Sequence, residues 1–171
     1  MAPCVVNIRL LTPDLALLDA ALAGRATLTQ ALGHDIADGW EVFARSVARA
    51  RDAVASDPGG TRWGTRFFIC DDPPTLVGWG GFKGPPQDGA VEIGYAVAPG
   101  WRGRGVASAA VLALLAEAWA APGVEAVLAQ TLAEPNASVR VLEKAGFAKA
   151  GEGADDSLGT LWRWRLQRPG G

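Results

Sequence analysis

Among the 171 residues there are one histidine and two cysteines, so a transition metal would find few ligands. Cys4 and Cys70 lack metal spacing and His34 has no histidine partner, so no metal site is expected. Two thiols among seven tryptophans read as core residues of a reduced compartment. The opening Met-Ala-Pro-Cys-Val-Val-Asn has neither a basic region nor a hydrophobic signal segment, and no apolar run approaches membrane-spanning length. A cytoplasmic protein without a membrane partner is expected. A formal charge of −2 and the lack of any basic run argue against nucleic acid as a partner. There is no Ser/Gly/Pro-rich linker, repeat or low-complexity tract, so residues 1–171 are expected to form one domain.

Hydrophobic residues make up 49% of the chain, enough for a sizeable core, and its organising stretch runs from Val91 to Ala107. Val91-Glu-Ile-Gly-Tyr-Ala-Val is a strand pattern ended by Ala98-Pro99-Gly100. Arg102-Gly103-Arg104-Gly105 follows, and Val106 and Ala107 open an alanine-rich helix. Glycines at a strand-to-helix turn let the backbone approach a ligand closely. The uncapped N–H groups and dipole of the helix face the same point, and two arginines add charge-assisted bonds. The pattern reads as a phosphate cradle.

The remaining elements follow in order. Cys4 to Leu10 reads as a strand, Thr12-Pro13-Asp14 starts a helix to about Ala23 with Pro13 at its first position, and Thr27 to Gly33 and Glu41 to Ser56 read as helices. Trp63 to Cys70, Thr75 to Lys83 and Ala90 to Ala98 read as an antiparallel meander. A helix from about Arg104 to Ala120, a strand from Glu125 to Leu132, a helix capped by Asn136 and a hairpin of Phe147 to Gly151 with Thr160 to Leu166 complete the chain. That order argues against a dinucleotide-binding fold, whose glycine loop follows the first strand of a repeated βαβ unit.

Arg102-x-x-Gly105-x-Ala107 matches the Q/R-x-x-G-x-G/A signature of the GNAT acyltransferases. Asn136-Ala-Ser-Val-Arg-Val-Leu-Glu-Lys-Ala-Gly-Phe147 resembles a more specific segment of the branch that includes the Rim-type ribosomal-protein N-terminal acetyltransferases. The resemblance covers roughly the last two-thirds of the chain and implies the GNAT fold, an α+β (mixed α/β) domain whose central, mostly antiparallel sheet of about seven strands is flanked by helices. It also implies acetyl-CoA as donor co-substrate and a primary amine as acceptor, either a small molecule or a peptide or protein N-terminus. Homodimers are common in the family, but no self-complementary element stands out here.

Carried over position by position, Arg102, Gly103, Arg104, Gly105, Val106 and Ala107 would hold the pyrophosphate. Backbone groups near Ala96 and Val97, together with Asn136, would meet the pantetheine arm. Asn136 also reads as a plain helix cap, and Ser138 either as a catalytic acid for the departing thiolate, a role that water or no dedicated acid would also fill, or as support for the first turn. The tyrosine that serves many GNAT enzymes as general acid is matched by Leu142. Glu92, the one polar side chain in an apolar strand, is the candidate base, against the alternative of an ordinary salt-bridged strand residue. His34 is weighed as acceptor-site or surface residue, the tryptophans as core with one or two walling the acceptor pocket, and Trp101 as packing near the adenine end. Asp71-Asp72 and Asp155-Asp156 read as solvated turns. The competing functions are an idle acyl-CoA sensor or scaffold, suggested by Leu142, and use of a longer donor such as succinyl-CoA, for which Arg66 or Lys83 would supply the cation.

Overall fold

The computed structural model describes residues 6–40 and 44–170, so Cys4 and the start of the helix expected from Glu41 lie outside the described residues. The elements are β1 (Ile8–Leu11), α1 (Leu15–Ala23), α2 (Arg25–Leu32), β2 (Asp35–Ile36), α3 (Ala44–Ser56), β3 (Thr65–Asp71), β4 (Pro74–Phe82), β5 (Ala90–Val97), α4 (Val106–Trp119), β6 (Ala126–Leu132), α5 (Ala137–Lys144), β7 (Ala148–Asp155) and β8 (Gly159–Gln167). They form one sheet in the order β1-β3-β4-β5-β6-β8-β7, with β2 joined in parallel to β4. Most neighbours are antiparallel, as expected, and β5 with β6 is the other parallel pair.

The sheet carries a core on each face. On one side α4 packs a stripe of Val106, Ala110, Val111, Leu114 and Ala118 against Phe68, Val77, Val91, Ile93 and Val127, and α5 adds Val139 and Leu142. On the other, α1, α2 and α3 lay Leu18, Leu28, Val47 and Ala50 over Phe67, Ile69, Leu76 and Trp79. Alternation along β3 divides Phe67 and Ile69 from Phe68 and Cys70. Phe68 pairs with Gly78 and Ile69 with Leu76, so Val77 is the extra residue of a bulge, and Leu76 and Trp79 meet on one face.

Several expected boundaries move. β2 makes an eighth strand; at two residues, it is too short to carry an alternating pattern. Asp14, not Pro13, starts α1, because its carboxylate accepts from the Leu17 amide at 2.8 Å and Pro13 precedes the cap. Trp63 closes a 3₁₀ turn, Pro58–Trp63, that is capped by Asp57, rather than opening β3. The last hairpin is longer than expected: β7 runs on to Asp155, so only residues 156–158 turn.

Arg66, only 4% exposed, fastens that 3₁₀ turn to the sheet. Its guanidinium donates to the Glu117 carboxylate at 3.1 Å, to the Arg62 carbonyl at 2.7 Å, and to the carbonyls of Thr61, Gly64 and Thr65. Arg66 is therefore committed to the framework and cannot serve as the cation for a longer acyl donor.

Leu142 is fully buried among the α4 and α5 side chains. Leu142→Ala removes most of a packed side chain and is expected to destabilise the fold by about 2–5 kcal/mol. Denaturant titration checks this; a loss under about 1 kcal/mol would mean that α5 collapses onto the gap and is not anchored there.

Candidate active site

β5 pairs with β4 from Ile93 to Val97, but with β6 only over Ala90–Glu92 opposite Ala126–Leu128. Beyond Glu92 the second edge of β5 has no strand neighbour among the described residues, while β6 stays paired with β8 along its whole length. The two strands part around a cavity of about 830 Å³ bordered by Ala96 and Val97, the loop of Arg102, Gly103 and Gly105, the α4 residues Val106 and Ala107, and Asn136 and Ser138 at the start of α5. Of the sequence-selected residues, Arg104 and Glu92 are absent from this wall.

Gly103 and Gly105 have φ of 73° and 83°, in the left-handed region. A Cβ at either would meet nothing within 4 Å, so backbone conformation requires the glycines and the space before them is open. Gly105 caps α4 and no side chain closes its first turn, leaving the helix N-terminus as a donor surface for an anion. Arg102 spends one donor on the Val97 carbonyl at 3.2 Å, tying the loop to β5. Arg104 instead stacks over Trp101, 5.0 Å from the ring. Sequence reading passed over Arg140 and Lys144, which lie four apart on α5, line the same cavity and make no ion pair among the described residues. Their helical spacing was the available signal. Glycine loop, helix end and cations fit an elongated ligand carrying phosphates.

Asn136 caps α5: its side-chain oxygen accepts from the Val139 amide at 3.0 Å and its amide donates to Glu134 at 2.9 Å. Both ends are engaged by the protein. Ser138 sits in the turn so held, and its hydroxyl has no hydrogen bond among the described residues.

A second cavity, of about 670 Å³, opens between α3 and the sheet. Ser46, Arg49, Ala50 and Ala53 line it from α3, facing Trp63, Trp79 and Phe82. Trp63 and Phe82 meet edge to face at 5.0 Å, a rigid aromatic corner. Lys83, Tyr95 and Ala96 border both cavities, so the two share that stretch of wall. Glu92 has its side chain opposite the apolar Val91 and Ile93, as strand alternation requires, and its carboxylate lies 2.5 Å from Lys83 Nζ. Glu92 lines neither cavity and comes to the shared border only through Lys83, which lines both. Tyr95, which sequence reading treated only as an apolar strand residue, donates to the Ser138 carbonyl at 3.4 Å, and burial pushes its phenol up to about 12.

Most of the other candidates fall outside both cavities. His34 contacts the Gly33 carbonyl, Trp40 packs on Phe67, Trp164 donates to Thr131, and Trp162 lies under Lys149. Asp71 pairs with Arg9, while Asp155 borders the larger cavity as the acceptor of its own turn.

Comparison with known proteins agrees with this layout. A sequence profile described as "Acetyltransferase (GNAT) domain" matches residues 6–148. The chain is 28% identical over 144 residues to the uncharacterized N-acetyltransferase YjdG of Bacillus subtilis, covering 82% of this chain and 86% of that one. Among solved structures, Mycobacterium smegmatis RimJ in complex with CoA-disulfide superposes with a TM-score of 0.65 at 20% identity, covering 94% and 82% of the two chains. The Microcin C7 self-immunity acetyltransferase MccE in complex with acetyl-CoA and AMP does so with 0.66 at 14%, covering 94% and 92%; at such identities the likeness concerns the fold. With its profile match, parted strands and glycine loop, this chain belongs to the GNAT acetyltransferase family.

Proposed function

We propose that the protein is an acetyl-CoA-dependent N-acetyltransferase in which donor and acceptor meet where the two cavities join. The observation that carries the reading is the shared border of Lys83, Tyr95 and Ala96 between a phosphate-fitted cleft and a pocket with an aromatic corner. Pyrophosphate rests on the loop from Arg102 to Ala107, with Arg140 and Lys144 toward the outer phosphate. The amide-rich pantetheine arm lies along the open edge of β5 at Ala96 and Val97, pairing as an added strand would. Asn136 acts by fixing the turn that presents Ser138. The co-crystallised CoA of RimJ and acetyl-CoA of MccE support this choice of donor.

The acceptor is a primary amine on an apolar body, either a small molecule or the N-terminal residue of a peptide. Among the described residues Asp57 is the one acidic residue in the second cavity's wall, and its carboxylate already accepts from the Gly59 amide. A polycation would find little to pair with. An amine arrives protonated near neutral pH and must lose a proton before it attacks the thioester; Glu92, held to the shared border by Lys83, takes that proton directly or through water.

Two measurements test the reading. Gly105→Val forces a β-branched residue into the left-handed region and a side chain into the cleft, so acetyl-CoA affinity by calorimetry is expected to fall at least about tenfold, or 1.4 kcal/mol, with the fold intact. Unchanged affinity would place the donor elsewhere. Glu92→Gln is expected to bind acetyl-CoA normally, lose roughly 10²-fold or more in kcat/KM toward an apolar amine, and recover partly at high pH as free amine becomes abundant. Near-full activity with an unchanged pH profile would remove Glu92 from the mechanism, and absence of CoA release with every amine of a broad panel would leave a binding domain rather than an enzyme.

A further inference from the structure

Tyr95 is the only tyrosine in the chain and lies where the two cavities meet. It stands on β5 beyond Glu92, the last residue that pairs with β6, with its ring against the core on the α4 side. Its hydroxyl reaches the first turn of α5, 3.4 Å from the Ser138 carbonyl oxygen. That is long for an O–H···O bond, which centres on about 2.7–2.8 Å, so little is lost when the hydroxyl turns to a better acceptor in the cleft. The core side chain Leu142 offers no donor to the same cleft.

Resting on the acetyl-transfer reading above, we infer that Tyr95 is a catalytic residue that donates a hydrogen bond to the sulfur of the departing CoA. The amine lone pair forms the C–N bond and the thioester carbonyl becomes an oxyanion. Its collapse breaks the C–S bond, and that electron pair goes to sulfur. The proton lost by nitrogen leaves through Glu92 or water, and the thiolate is protonated by solvent. Tyr95 keeps its own proton throughout. Burial holds its phenol at about 12, above the roughly 8.5 of a cysteine thiol, so transfer to sulfur is uphill and the group serves as a fixed dipole. Such a donor acts on charge that appears only as the bond breaks.

Tyr95→Phe keeps the ring and deletes the donor. It is expected to lower kcat at least about tenfold while leaving calorimetric acetyl-CoA affinity and melting temperature near those of the parent. Because no other tyrosine exists, growth on a fluorinated, more acidic tyrosine alters this position alone and preserves the fold. The fluorinated enzyme should lose activity at a lower alkaline pH than the parent, in step with its own tyrosinate absorbance. A packing role would give no such coincidence. Phe at full kcat, a parallel loss of acetyl-CoA affinity, or a fluorinated enzyme whose activity ignores the phenol titration would each overturn the role of Tyr95. A parent protein that binds no acetyl-CoA would instead overturn the acetyl-transfer reading itself.

Discussion

The site depends on an unequal division of β5 between its neighbours. β4 holds it from Ile93 to Val97, β6 only from Ala90 to Glu92, and β6 cannot follow further because β8 holds it along Ala126–Leu132. A strand edge facing a cleft carries backbone donors and acceptors that need partners. Because β5 and β6 are parallel, their connection crosses over through a helix, and that helix follows β5 after the short glycine-bearing loop. The positive end of α4 and the open strand edge therefore face one space. Polar backbone of both kinds, a line of amides and a cluster of helix-end donors, is offered without any side chain having to supply it.

Side chains then sort the two cavities by charge. Arg102, Arg140 and Lys144 border the larger one, in a chain whose formal charge is −2, so placement rather than composition supplies the positive potential. The other cavity owes its shape to rigid parts: the aromatic corner of Trp63 and Phe82 is held by the 3₁₀ turn that Arg66 clamps through carbonyls and Glu117. Glu117 belongs to α4, so one buried guanidinium links the wall of the smaller cavity to the helix whose other end borders the larger one.

What the sequence made legible was local. The glycine loop could be read because φ near 73° and 83° is a demand on single residues, and the Asn136 cap because its partner is three positions away. The meander and the crossover helix followed from spacing between apolar runs. The rest rests on contacts between distant segments. β2 exists because Asp35 and Ile36 meet Thr75 and Leu76, and two residues carry no period. Arg104 looked like Arg102 by neighbourhood, yet Trp101 draws it away from the cleft. Glu92 stands on the expected face of β5, but its engagement by Lys83 joins two strands across a hairpin. Tyr95 read as apolar because alternation sets where a ring points, while its hydroxyl finds Ser138 across 43 positions of chain.

The two cores on opposite faces of the sheet share few side chains: one gathers Val91, Ile93, Leu114 and Leu142, the other Leu18, Val47, Leu76 and Trp79. Substitutions in groups that do not touch combine almost additively. Core side chains of α1 to α3, such as Leu18 and Val47, can therefore change with little effect on the packing of α4 against the opposite face. The sheet insulates one core from the other except where Arg66 ties β3 to Glu117 of α4, so sequence drift on one face is free to proceed without repacking the other.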